Sequence, residues 1–268
     1  MLMDLNIYVA NMELHGILIF SSEERPALEK PGGAVIATKH FIHNYPLIYG
    51  FNNRNVEAYT VIPSLHFLTY GKIRESRFVP RLAKKPLKYT FITEEIKKLL
   101  EGKDSIYAYP ATPLKVTVKK IFMQAKGFGY AEFRGRLKTV YPRLEHYIAV
   151  TPPSLFRTIV ISYRELPRIM YVRIGMKRMG LFKTYLNKAR IVKKVGTYEW
   201  TSIPVNLYDM TLFGYEVYDF IKIYEKHSKP PLKPQSSIIG YVKTKDLYEI
   251  LTERGERLRV PLPQKRCA

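Results

Sequence analysis

A chain of 268 residues with 46% hydrophobic content can bury a sizeable core, as one large domain or two small ones. Its lone cysteine, Cys267, excludes an intrachain disulfide and a thiolate metal site, and no apolar run approaches the roughly 18–20 residues that span a bilayer. The formal charge of +21 is lopsided: Lys119–Lys194 holds eighteen Lys/Arg against Glu132, Glu145 and Glu165, which is +15 of the total.

In chain order, Leu5–Phe20 reads as a long strand. Leu5, Ile7 and Val9 alternate, then the phase shifts to Met12, Leu14, Leu18 and Phe20, which predicts a bulge near Ala10–Asn11. Glu23–Gly33, with two prolines, is a loop. Ala34 to Tyr45 has helical spacing, with Pro46 at its end. Asn52–Lys88 is irregular and broken by Pro63, Pro80 and Pro86. Thr93 then suits an N-cap, Glu94 and Glu95 the first turn, and Gly102 the stop of a short helix.

From Ile106 onward the pattern is mainly β. Leu114, Val116 and Val118 alternate with polar residues, and Leu155–Ser162, Ile169–Gly175, Leu186–Val195 and Gly214–Ile223 are further strands. Thr244–Arg254 reads as a last amphipathic helix stopped by Gly255. The order points to an α+β fold on an antiparallel sheet, in a single domain over residues 1–268. No basic leader precedes an apolar run at the N-terminus, so a cytoplasmic protein with no membrane partner is expected.

Charge this concentrated repels itself unless a polyanion neutralises it, and nucleic acid rewards a long basic face. The 21 tyrosines fit that partner, since an exposed ring stacks on an unpaired base; a core that uses Tyr in place of Phe accounts for some of them equally well. Alternation in Ile169–Gly175 leaves Tyr171 and Arg173 opposite Met170, Val172 and Ile174. In Leu186–Val195, Lys188, Arg190 and Lys194 face away from Ala189 and Ile191. Between these strands, Gly175 and Gly180 bracket Lys177 and Arg178, a loop whose backbone suits close approach to phosphates. Lys126–Phe133 follows the first RNA-recognition-motif signature, with Phe128 and Tyr130 placed to stack and Lys126, Arg134, Arg136 and Lys138 to hold phosphates. Its partner-like stretch, Ile7–Met12, lies more than a hundred residues away, which argues against an ordinary RNA-recognition motif.

Catalysis has one candidate. His40, His43 and Asn44 share a helical face beside Tyr45, and histidine with tyrosine can cleave RNA without metal through attack of a 2′-OH. No carboxylate sits at ligand spacing, so neither a metal nor another cofactor is expected. No Walker loop, nucleophile elbow or aspartate cluster is present.

Several short motifs then fall in order: His43-Asn44-Tyr45, Tyr107–Pro113, Gly135–Thr139, Pro167–Met176, Asn187–Val192, Ile203–Asn206 and Val260–Pro263. Together they resemble the Cas-five-type RAMP subunit of type I-D CRISPR effector (Cascade) complexes. The resemblance implies a ferredoxin-like, RRM-related antiparallel sheet with helices on one face and a projecting β-hairpin thumb, here around residues 124–165. It implies a non-catalytic subunit of an antiviral ribonucleoprotein that caps the 5′ handle of the CRISPR RNA. The partners it implies are the backbone and large subunits, and target DNA near the protospacer-adjacent motif (PAM). Gly135–Lys138 would fall in the thumb, and Arg173, Lys177 and Arg178, with Lys188 and Arg190, on the handle-facing sheet and loop. The alternative is a related, metal-independent endoribonuclease that processes precursor CRISPR RNA with His43 and Tyr45.

Overall fold

The computed structural model describes residues 4–19, 35–37, 41–54, 90–125, 143–175, 178–226 and 237–264. The fold is mixed, mostly antiparallel sheet with few helices among the described residues. The central strand β1 (Asn6–Leu14) lies antiparallel to β5 (Arg143–Ser162) on one side and β7 (Gly180–Val195) on the other. Beyond β5 come β3 (Ile106–Ala108) and β4 (Thr112–Ala125); beyond β7 come β6 (Ile169–Ile174), β12 (Leu247–Thr252) and β13 (Arg257–Val260). The short β2 (Val35–Ala37) adds in parallel to β5.

A second sheet is built from β8 (Glu199–Trp200), β9 (Val205–Asn206), β10 (Asp219–Lys226) and β11 (Ser237–Thr244). Helix α1 (Asn44–Phe51) touches β3 at one margin of the main sheet and β6 at the other, so it crosses one face. Gly50 makes that crossing tight: a Cβ there would sit 2.7 Å from Val172 Cγ1 and 2.8 Å from Ile174 Cγ2. Helix α2 (Thr90–Leu100) packs on β3 and α1, and α3 (Leu207–Leu212) on β9 and β11.

Five expectations about local structure change. The register of β1 runs unbroken against both neighbours, so there is no bulge at Ala10–Asn11. Tyr8 and Ala10 belong to the same face as Met12 and Leu14, while Ile7 and Val9 are buried on the opposite face; a strand covered on both sides shows no single phase. The expected helix at Ala34–Tyr45 is absent: Val35–Ala37 pairs with β5, and the helix begins at Asn44. Pro46 is in its first turn, where a missing N–H costs nothing, instead of ending it. Thr93 is inside α2, which starts at Thr90. Thr244–Arg254 is not a helix but the end of β11 and strand β12; Leu247, Tyr248, Glu249 and Ile250 are all buried between β7 and β13, so the alternation that marks a strand is lost.

The expected insertion at 124–165 takes in β5, whose Ser154–Ser162 pairs with the central strand β1 and so belongs to the main sheet; toward its other end β5 pairs with β4 as far as Arg143 and Ala125. Residues 126–142 lie outside the described residues.

Candidate nucleic-acid interface

The half of the main sheet opposite Val172 and Ile174 carries exposed polar and basic side chains. Strand β6 alternates as its sequence predicts, with Val172 and Ile174 buried and Ile169, Tyr171 and Arg173 exposed. The first half of β7 alternates too: Phe182, Thr184 and Leu186 are buried, and Leu181, Lys183 and Tyr185 are half-buried between them. Register then sets two cross-strand rows. One runs Thr112, Arg157, Asn11, Tyr185, Ile169 and the other Lys115, Leu155, Glu13, Lys183, Tyr171. Each crosses five strands, about 20 Å at the usual strand spacing.

Tyr171 is 66% exposed, far more than core packing would leave. The Lys183 ammonium lies 5.2 Å from the Tyr185 ring centroid, and its hydrogen bond with Tyr185 raises its pKa, which keeps it charged at neutral pH. Arg157 is held as a fork by Glu256 in the β12–β13 turn, so one cation of the face is already paired. Lys183 and Tyr185 were missed by sequence reasoning. Their signal was the alternation with Phe182, Thr184 and Leu186, in a stretch just before the Leu186 start assumed for that strand.

Not all the expected contacts gather here. In unbroken register, Arg173 pairs with Leu181 and Tyr171 with Lys183, so both share the face of the odd-numbered β7 residues. Lys188 and Arg190 have the opposite parity and point from the other face. Lys188 is bound there by Glu165, whose carboxyl it holds below the usual range. The expectation that these four residues share one surface is therefore corrected.

The glycines that bracket the loop are required by the fold itself. Gly175 has φ +82°, and a Cβ on it would meet Ile19 O at 2.9 Å; one on Gly180 would meet Leu18 Cδ1 at 2.8 Å. Both glycines are packed against the protein's own segment at Leu18–Ile19. Arg178 closes the turn by donating its N–H to Gly175 O, and its guanidinium donates to Asn53 Oδ1 at 2.9 Å. Lys177, Lys126, Phe128, Tyr130, Arg134, Arg136 and Lys138 lie outside the described residues.

The catalytic candidates sit elsewhere, in a buried polar cluster. His43 is the N-cap of α1, its Nδ1 accepting the Tyr45 N–H at 3.1 Å. Asp209 on α3 accepts from Asn44 Nδ2 (2.6 Å), the Tyr107 hydroxyl (2.7 Å) and the Tyr45 hydroxyl (3.2 Å). Asn206 caps α3 through Tyr208 N and donates Nδ2 to Asn44 Oδ1 at 3.3 Å. Burial pushes the Asp209 carboxyl up to about 6 against those three donors, and raises Tyr107 well above the usual phenol range. Nearby, the Tyr109 hydroxyl donates to Pro261 O, and Tyr215 bridges to Leu262 through its hydroxyl. His40 lies outside the described residues. Among the described residues no three His, Cys, Asp or Glu side chains gather as metal ligands, and no helix is long and apolar enough to cross a membrane.

The fold and these two clusters define an α+β protein with an open, basic, tyrosine-bearing sheet face and a separate buried polar latch. The model of the type I-D CRISPR-associated protein Cas5/Csc1 family matches residues 5–236, and the chain belongs to that family. Comparison with curated proteins found no match.

Proposed function

We propose that this chain is the non-catalytic RNA-binding subunit of a type I-D CRISPR surveillance complex, capping the 5′ handle of the CRISPR RNA. Within that reading the core is ferredoxin-like with a thumb at the tip of β4 and β5, and the protein is cytoplasmic. It contacts the backbone and large subunits near the PAM-bearing DNA. The observation that carries it is the face rowed across β4, β5, β1, β7 and β6, where Tyr171 and Arg173 stand exposed beside Lys183, with Lys115 exposed at the far end of the row. An exposed ring flanked by cations offers stacking to a base and charge to its phosphates.

Support for the non-catalytic half comes from the buried cluster. His43 Nδ1 is engaged at the helix cap and the Tyr45 hydroxyl by Asp209, both on side chains less than 10% exposed. A general base must reach the hydroxyl it deprotonates, and these groups already serve the fold.

The test is charge reversal in the assembled complex. Arg173→Glu with Lys177→Glu should abolish CRISPR RNA retention and lower the salt dependence of handle binding by about one to two counterions. Unchanged retention overturns the site. Incubating the pure protein with repeat RNA in EDTA tests the enzyme reading. Cleavage lost in His43→Asn, which keeps a capping side chain, would replace the scaffold by the endoribonuclease.

A further inference from the structure

The second sheet carries an aromatic and cationic cluster that the handle site does not use. Tyr198, just before β8, and Tyr218, just before β10, have ring centroids 5.0 Å apart at a 44° tilt. Lys245 Nζ lies 4.5 Å from the Tyr198 centroid and Lys243 Nζ 5.7 Å from that of Tyr218. Backbone pairing fixes the arrangement: Tyr218 N donates to Lys243 O at 2.9 Å, and Trp200 of β8 is the register partner of Lys243. Tyr198 is 43% exposed and Tyr218 69%, so neither ring is explained by the core.

Two of the four neighbouring acids are ion-paired, and Asp219 is the cross-strand register partner of Lys243. Glu199 is paired with Arg259, Asp246 with Lys194, and Asp219 accepts the N–H of Phe220. Glu216 is exposed at the rim and subtracts from the local field. Among the described residues neither Lys243 nor Lys245 has a carboxylate within 4 Å.

We infer that Tyr198, Tyr218, Lys243 and Lys245 form a second binding site, for an unpaired stretch of single-stranded nucleic acid. An acidic peptide would use the ammonium groups and leave the rings wet; an apolar partner would cover the rings and bury the ammonium groups unpaired. A base with its phosphate satisfies both, the base on an exposed tyrosine face and the phosphate beside a lysine. The site goes beyond the handle-binding reading and lies on the other sheet.

Trp200 is the chain's only tryptophan, which gives the site its own reporter. The full-length Arg173→Glu protein is titrated with rU15 and with dT15 while Trp200 emission is followed. Saturable quenching is expected, and the ratio of the two affinities identifies whether RNA or DNA is held. Tyr198→Ala with Tyr218→Ala should weaken binding roughly ten-fold or more, and Tyr198→Phe with Tyr218→Phe should retain it, since the ring and not the hydroxyl stacks. Unchanged affinity in the double alanine variant overturns the inference, as does equal quenching by poly-glutamate. Either failure leaves the handle-site test on Arg173 and Lys177 untouched.

Discussion

Tyr107 and Tyr171 stand at opposite ends of how this chain uses its 21 tyrosines. Tyr107 is 1% exposed, ringed by Tyr109 and Phe213, with its hydroxyl donating to Asp209. Tyr171 is 66% exposed, in a row with Lys183 and Glu13. The sequence surroundings differ little, both being strands with apolar neighbours. What separates them is what packs above: α1 and α3 close over the Tyr107 cluster, whereas among the described residues nothing closes over Tyr171. Four of the motifs that carry the family likeness meet at the buried end: His43-Asn44-Tyr45, Tyr107–Pro113, Ile203–Asn206 and Val260–Pro263. A shared motif therefore marks a joint of the fold at one end of the molecule and an offered surface at the other.

Breaking the buried end should have the largest effect. Asp209→Ala removes the acceptor that Asn44, Tyr45 and Tyr107 share in the core, and a loss of about 3 kcal/mol in urea unfolding is expected. A loss below about 1 kcal/mol would show that the cluster is not a latch. The same carboxyl makes stability depend on pH. Its folded pKa of about 6 lies above its ordinary 3.8, so its contribution is full below pH 4 and is lost as pH rises through 6. The limit is about 3 kcal/mol, from 1.36 kcal/mol for each pH unit between the two pKa values. The stability gap between wild type and Asp209→Asn should accordingly be wider at pH 4.5 than at pH 8; a gap independent of pH would place the titration elsewhere. Smaller again, Tyr107→Phe removes one hydroxyl from Asp209 and should cost about 2 kcal/mol, while Tyr171→Phe should stay within about 0.5 kcal/mol.

The sequence made the open face largely legible, because a strand covered on one side writes alternation into its residues. Tyr171 and Arg173 were placed on the exposed face from the alternation with Met170, Val172 and Ile174. Strands covered on both sides hid themselves: Leu247–Ile250 lost its alternation to burial and read as a helix, and Ile7–Ala10 mimicked a bulge. His43 and Asn44 were assigned to one helical face because Pro46 was taken as a stop, when it opens the helix instead. The Asp209 cluster was invisible for a different reason. Its members lie up to 165 residues apart, and no local period reports a hydrogen bond of that span. Lys188 and Arg190 were grouped with Arg173 because alternation gives the faces of each strand separately, and only the register between strands shows which faces coincide.

Parity also makes the smallest prediction the sharpest test of the comparison. Lys188 is half-exposed and paired with Glu165 in solvent, so Lys188→Ala should leave the urea midpoint almost unchanged, and at high salt wholly so. Because it points from the opposite face to Tyr171 and Arg173, the same substitution should change handle-RNA affinity less than two-fold, against a several-fold loss for Arg173→Ala. Equal losses for the two would mean that the RNA wraps around the margin of β7 and touches both faces. The division into an open binding face and a covered structural one would then fail at that strand, even with the buried cluster behaving as expected.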